Sequence, residues 1–167
     1  MQILHVVTDQ LEAQITGLLI KNFGISSVKD WQLKIIAATL EGQNTLIIQP
    51  TGSGKSLCFQ IMPFITGKIS LVLTPTISLM KDQCCALAKN KISATYVGSS
   101  QMDKEIGTKI LGGDFKLVYA TPEKFFVDAG TPSYPFRDLI IRGQVGLIAI
   151  DEVHLISSWK SFRYAFL

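Results

Sequence analysis

The run Gln49-Pro50-Thr51-Gly52-Ser53-Gly54-Lys55-Ser56 constrains this chain more than any other stretch. It follows the apolar run Thr45-Leu46-Ile47-Ile48, which reads as a buried strand of a parallel sheet. It precedes Leu57 to Met62, which reads as a helix. Strand, glycine-bearing loop and helix, in that order, form the context a phosphate-binding loop needs. Gly52 and Gly54 let the backbone curl so that its N–H groups converge, and the helix start adds a positive dipole end. On this reading Lys55 reaches the β- and γ-phosphates of a nucleotide, and the Ser56 hydroxyl ligates Mg²⁺. The general pattern has a glycine separated by four residues from its Gly-Lys pair, and Gln49 stands there instead. A glycine-rich turn with an incidental lysine is the alternative.

A chain of 167 residues, 47% hydrophobic and 17% charged, is long and apolar enough to bury a core, which excludes a disordered tail. Its net charge of +3 permits an anionic partner without demanding one. Cys58, Cys84 and Cys85 have no metal-ligand spacing, and an odd count with two adjacent residues suggests reduced thiols in an intracellular protein. No apolar run is long enough to cross a bilayer, and the first residues lack the pattern of a signal peptide, so no membrane partner is expected.

Leu11, Ile15, Leu18 and Leu19 recur at helical spacing, with Thr8 or Asp9 as cap, Glu12 completing a capping box and Gly24 as the stop. A second helix begins near Asp30 and turns Leu33, Ile36, Ala37 and Leu40 inward. Gln32 lies at its start. A side-chain amide both donates and accepts, so Gln32 is a candidate for an adenine edge; an exposed glutamine is the alternative.

Residues 68–74 read as a strand stopped by Pro75, and Thr76 caps a helix over residues 77–88. The end of that strand and the start of that helix lie on the sheet edge where open α/β folds bind ligands. There Thr74, Thr76, Ser78 and Lys81 are candidates for holding a backbone phosphate, against the plainer reading of a cap and a solvated lysine. Residues 94–97 form a short strand, 98–101 a polar turn, 102–111 a helix and 116–120 another strand, with Pro122 opening a helical turn. Residues 128–143 mix glycine, proline and charge and yield no element.

Val145 to Ile150 is a last apolar strand, running into Asp151-Glu152-Val153-His154. An acidic pair at the end of a buried strand suits Mg²⁺ and an attacking water. Asp151 would hold the metal through its waters, and Glu152 would orient or deprotonate the water that attacks the γ-phosphate. His154 would link the nucleotide site to another surface. A solvated Asp-Glu turn is common, but it gains meaning when a phosphate loop lies upstream.

Five blocks together resemble the RecQ branch of superfamily 2 helicases: Phe23-Gly24 to Gln32, Gln49 to Gln60, Thr74-Pro75 to Gln83, Tyr119 to Glu123, and Asp151 to Phe162-Arg163. The wording is nearest the Werner-type members. The resemblance covers nearly the whole chain. It implies an α/β, RecA-like (P-loop NTPase) parallel sheet flanked by helices, with residues 1–44 as N-terminal helices bearing an adenine-recognition motif and 45–167 as the ATP-binding domain. It implies ATP and Mg²⁺ as cofactors, single-stranded or forked DNA as partner, and ATP-driven 3′ to 5′ unwinding in replication, recombination and repair. Lys29 and Gln32 would flank the adenine, with Thr51, Gly52, Ser53, Gly54, Lys55 and Ser56 around the phosphates. Lys55, Asp151, Glu152 and His154 would carry hydrolysis, with Ser56 and Asp151 on the metal. Thr74, Ser78, Lys81, Gln83 and Thr121 would line the single strand, and Trp159, Phe162 and Arg163 belong to an aromatic-rich loop that couples DNA binding to hydrolysis.

Several positions depart from the family. Asp30 replaces proline, Thr76 replaces leucine, Val153 replaces alanine and Leu155 replaces cysteine, and the coupling loop is one residue short between Trp159 and Phe162. The chain ends at Leu167, before the family's next motif and the second, C-terminal RecA-like domain with its arginine finger. Such a finger is worth ~10³–10⁵ in rate in related enzymes. The expectation is therefore a fragment of the first motor domain that binds nucleotide and turns it over slowly by itself, nuclear if eukaryotic and otherwise cytoplasmic. A non-catalytic nucleotide- or DNA-binding remnant and an ATPase acting on something other than DNA are the competing readings.

Overall fold

A computed structural model describes residues 8–128 and 131–153. The chain divides into two compact units, residues 1–66 and 67–167. The first unit thus includes the phosphate loop.

The first unit is helical. Helix α1 spans Asp9–Phe23 and α2 spans Asp30–Leu40. Thr8 caps α1 by accepting from the Leu11 N–H at 3.2 Å, so the third helical position is Leu11. Glu12 therefore sits one place too late for the capping box. Gly24 ends the helix at φ 68°, a conformation that costs glycine nothing. Ile15 and Leu19 of α1, and Leu33, Ile36 and Ala37 of α2, are buried as their spacing requires. Helices α3 (Lys55–Gln60) and α4 (Met62–Thr66) follow the glycine loop, and Phe64 meets Phe23 edge-on at 5.7 Å.

The run at residues 45–48 is not a strand. No ladder pairs it among the described residues, and Leu46 is 65% and Ile48 83% exposed. Three apolar residues behind a threonine satisfy the pattern of a buried strand, but pairing requires a neighbour that the pattern does not specify.

The second unit holds a four-stranded parallel sheet in the order β2-β3-β1-β6. Its strands are β1 (Ile69–Leu73), β2 (Ala94–Val97), β3 (Leu117–Ala120) and, at the opposite edge, β6 (Val145–Ile150). β1 and β3 are central and wholly buried, as parallel strands covered on both faces must be. Helices α5 (Ile77–Lys89), α6 (Ile106–Leu111), α7 (Pro122–Phe125) and α8 (Phe136–Ile141) complete the unit, and a small antiparallel pair, β4 (Phe126–Asp128) and β5 (Thr131–Pro132), joins α7 to α8. One core cluster gathers Leu71 and Leu73 of β1, Val118 and Ala120 of β3, Ile110 of α6, Phe125 of α7, and Phe136 and Leu139 of α8.

The helix expected from Met102 begins at Ile106, because the Asp103 carboxylate accepts from the Glu105 N–H at 2.9 Å and from Lys109 Nζ at 2.6 Å, fixing a turn first. Residues 136–141, within the stretch that yielded no element, form α8 and bury Phe136 and Leu139 completely. Among the described residues no helix is long and apolar enough to cross a membrane.

Candidate functional site

In the first unit the glycine loop is curled as a phosphate cradle requires. Gly52 and Gly54 take φ of 77° and 94°, which L side chains rarely adopt. Lys55 bends back over the loop, and its ammonium donates to the carbonyls of Gln49 at 2.9 Å and Pro50 at 3.0 Å. Those two bonds order the lysine at the mouth of the loop. The Ser53 hydroxyl is buried and makes no hydrogen bond, a donor that a phosphate oxygen would satisfy. Thr51 is exposed and Ser56 half-buried at the start of α3.

The start of α2 is tied to this loop. Lys29 Nζ donates to the Ser53 carbonyl at 2.9 Å, and Gln32 Nε2 donates to the Gly54 carbonyl at 2.9 Å. Gln32 Oε1 accepts from the Lys29 N–H at 3.0 Å. Gln32 is only 3% exposed. Sequence reasoning singled out both residues; the structure brings them to the loop backbone and makes Gln32 a buried brace, not an exposed amide.

Burial pushes the Cys58 thiol in α3 up to about 12, with a hydrogen bond to the backbone opposing it. That thiol is a packing group. The Cys84 thiol in α5 is likewise pushed to about 12, by burial first and then by its neighbour Cys85. Among the described residues no group of three potential metal ligands occurs.

In the second unit the loops leaving β1, β2 and β3 open on one sheet edge and enclose a cleft of about 600 Å³. Pro75, Thr76, Ile77 and Ser78 line it from the first loop, Ser99 from the second, and Thr121, Glu123 and Lys124 from the third. Hydroxyls and one ammonium on such an edge suit a phosphate backbone. Thr76 also caps α5, accepting from the Leu79 N–H at 3.3 Å. Of the residues expected along a strand, Ser78 and Thr121 are in the cleft. Thr74 lies beneath it, 1% exposed, with its hydroxyl unbonded. Lys81 lies one turn along α5, exposed, and Gln83 is half-buried further on. Sequence reasoning did not select Ser99 or Lys124; the signal available was that each follows the C-terminal end of a parallel strand.

Asp151 ends β6 at the same sheet edge, and its N–H donates to the Leu73 carbonyl at 2.8 Å, as if extending the ladder. Its carboxylate accepts from the Glu152 N–H at 3.0 Å. Glu152 takes φ of 53°, a left-handed conformation that is uncommon for a residue with a side chain. Outliers of this kind concentrate at functional sites. His154, Trp159, Phe162 and Arg163 lie outside the described residues.

A family model described as DEAD/DEAH box helicase matches residues 29–166. The chain is 38% identical over 148 residues to the ATP-dependent DNA helicase Q-like SIM of Arabidopsis thaliana, covering 89% of this chain and 17% of that protein. It is 41% identical over 140 residues to the ATP-dependent DNA helicase RecQ of Haemophilus influenzae (82% and 22%). It is 40% identical over 146 residues to the bifunctional 3′-5′ exonuclease/ATP-dependent helicase WRN of Mus musculus (86% and 10%). The chain thus spans 10–22% of the length of these relatives. The crystal structure of a hypothetical ATP-dependent RNA helicase from Sulfolobus tokodaii matches 90% of this chain and 43% of that one, with a TM-score of 0.56 at 22% identity, which supports the RecA-like fold.

Proposed function

Because the chain belongs to the DEAD/DEAH box helicase family, we propose that it is the first motor segment of a RecQ-type helicase that uses ATP hydrolysis to move 3′ to 5′ on DNA and separate its strands. The observation that carries this reading is the curled loop with Lys55 poised at its mouth and Ser53 holding an unsatisfied buried hydroxyl. Thr51 to Ser56 bind the nucleotide phosphates. Lys55 exchanges its two carbonyl partners for phosphate oxygens. Gln32 retains one amide hydrogen and one lone pair beyond its present bonds, and at 3% exposure it reads the adenine edge beside Lys29 only if the loop it braces shifts to uncover it. Ser56 carries a hydroxyl that would ligate Mg²⁺ beside the phosphates and Asp151 a carboxylate of the kind that holds such an ion through its waters; the ion would neutralise developing phosphate charge. Glu152 orients or deprotonates water, and His154 relays the state of the nucleotide. The single strand, alone or at a fork, passes along the cleft at Ser78 and Thr121, with Lys81 and Gln83 beyond, and Trp159, Phe162 and Arg163 couple it to hydrolysis. In a eukaryote the compartment is the nucleus.

Titration of a fluorescent ADP with Mg²⁺ into the chain and its Lys55→Ala variant tests the reading. Saturable binding that the variant loses is expected. Equal binding by both would overturn it. In a longer protein containing this segment, binding without turnover would favour a non-catalytic module, and turnover that DNA does not stimulate would favour an ATPase acting on something else.

A further inference from the structure

Tyr96, in β2, is half-buried and lines no part of the cleft, yet it joins two elements at the cleft's rim. Its ring lies under the ammonium of Lys81 in α5, with Nζ 5.8 Å from the ring centroid. That is within the range at which an aromatic face attracts a cation. The ring is itself fixed by the loop that follows β2. The Tyr96 hydroxyl donates to the Ser100 carbonyl at 3.2 Å, and Gln101 Nε2 donates to the Tyr96 carbonyl at 2.8 Å. Gln101 Oε1 accepts from the Asp103 N–H at 3.1 Å, closing the loop that carries Ser99.

A lysine that contacts phosphate needs its flexible stem ordered and its charge intact. A carboxylate partner would order it but compete with the phosphate. Among the described residues no carboxylate pairs with Lys81. An aromatic face orders the ammonium and leaves all three N–H donors and the full charge available.

We propose that Tyr96 is a positioning residue for nucleic-acid binding, its ring holding the Lys81 ammonium at the rim of the cleft while the loop over residues 98–103 holds the ring. The proposal rests on the reading of the cleft as the path of a DNA single strand. Tyr96 touches no nucleic acid itself. It lowers the cost of immobilising Lys81 when a phosphate arrives.

The test is a set of anisotropy titrations of a labelled oligothymidylate across a salt series, using the 167-residue chain and its Lys81→Ala, Tyr96→Phe and Tyr96→Leu variants, with each Tyr96 change repeated in the Lys81→Ala background. Lys81→Ala should weaken binding and flatten the dependence of log K on log salt by about 0.7, the share of one phosphate contact on a single strand. Tyr96→Phe keeps the ring but loses its tether to the Ser100 carbonyl, so it should bind no more tightly than the parent. Tyr96→Leu should bind about two- to fivefold more weakly than Tyr96→Phe, and that gap should vanish once Lys81 is alanine. A gap that persists without Lys81 would overturn the proposal, since a merely structural role predicts it. Independently, the Lys81 ε-methylene protons should show an upfield ring-current shift in the unaltered chain. Unshifted protons would overturn the proposal alone. A normal shift with no effect of Lys81→Ala on DNA binding would overturn both it and the strand path through Lys81.

Discussion

Gln32 Nε2 donates to the Gly54 carbonyl at 2.9 Å, and a Cβ built on Gly54 would stand 2.9 Å from that same nitrogen. The glycine is thus required twice over, by its φ of 94° and by the amide packed against it.

Gly54→Ala should therefore disturb the loop in two ways. The left-handed conformation costs a residue with a Cβ about 1–2 kcal/mol, and Gln32 must withdraw from its bond. Gln32→Ala removes one of the two donors to the Gly54 carbonyl, which still accepts from the Leu57 N–H at 3.2 Å, and returns the Lys29 N–H to water, at about 0.5–1.5 kcal/mol for each bond lost. Both variants should lower the urea midpoint and weaken fluorescent-ADP binding. Parent-like ADP binding by Gly54→Ala would show that the curl of the loop is not what holds phosphate.

The loop, the Asp-Glu pair and the central strands were legible in the sequence because each is a local pattern: glycines beside a lysine, or apolar β-branched runs ending in acid. What was hidden depends on partners distant in the chain. Residues 45–48 have the composition of a buried strand but no ladder among the described residues. Helix α8 is six residues long and follows two prolines and a glycine, so Phe136 and Leu139 show no period even though both are fully buried. Gln32 reads as an exposed amide until the Gly54 carbonyl, 22 residues away, comes to meet it. Ser99 and Lys124 become neighbours of Ser78 only because β2, β3 and β1 lie side by side and end together.

Glu152 separates backbone strain from chemistry. Glu152→Gln keeps the side-chain shape at φ 53° and should leave nucleotide binding intact. Without a carboxylate to orient or deprotonate water, turnover in a longer protein containing this segment should fall by at least ~10²-fold. Glu152→Gly should stop turnover equally, while its thermal midpoint stays close to the parent's, because relief of the left-handed strain offsets the greater freedom of glycine in the unfolded chain. If Glu152→Gln loses nucleotide binding, the assigned role is wrong.

Asp103 and Lys109 supply a pH-dependent contribution of known sign. The Lys109 hydrogen bond, then the Glu105 N–H, hold the Asp103 carboxyl below its ordinary range, while the Asp103 contact holds Lys109 above its own. A depressed carboxyl stabilises above its unfolded pKa and loses that effect as pH falls through the folded value. A raised lysine stabilises below its unfolded pKa and loses the effect as pH rises through the folded value. Asp103→Asn should therefore lower the thermal midpoint across the neutral range. The gap from the parent should close at both the acidic and the alkaline end, and shrink in high salt because the pair is solvent-exposed. A gap that closes only at the acidic end would assign the effect to the Glu105 N–H alone, and a gap constant with pH would show that the ionised carboxyl contributes nothing.

The three thiols should separate cleanly under alkylation. At pH 8, a thiol pushed to about 12 has about one part in ten thousand as the reactive thiolate. Cys58 and Cys84 should thus react slowly in the folded chain, whereas Cys85 is exposed on α5. Treatment with a chromogenic disulfide should titrate one thiol quickly and three in denaturant, and Cys85→Ser should remove the fast one. Cys58 lies three residues beyond Lys55 in the short helix α3, so its slow reaction reports opening of the segment that follows the phosphate loop. ADP with Mg²⁺ should slow it further, since a ligand that binds only the folded loop lowers the open population. Fast labelling of Cys58 in the native chain would mean that α3 is not packed as described, and unchanged labelling at saturating ADP would uncouple the loop from its helix.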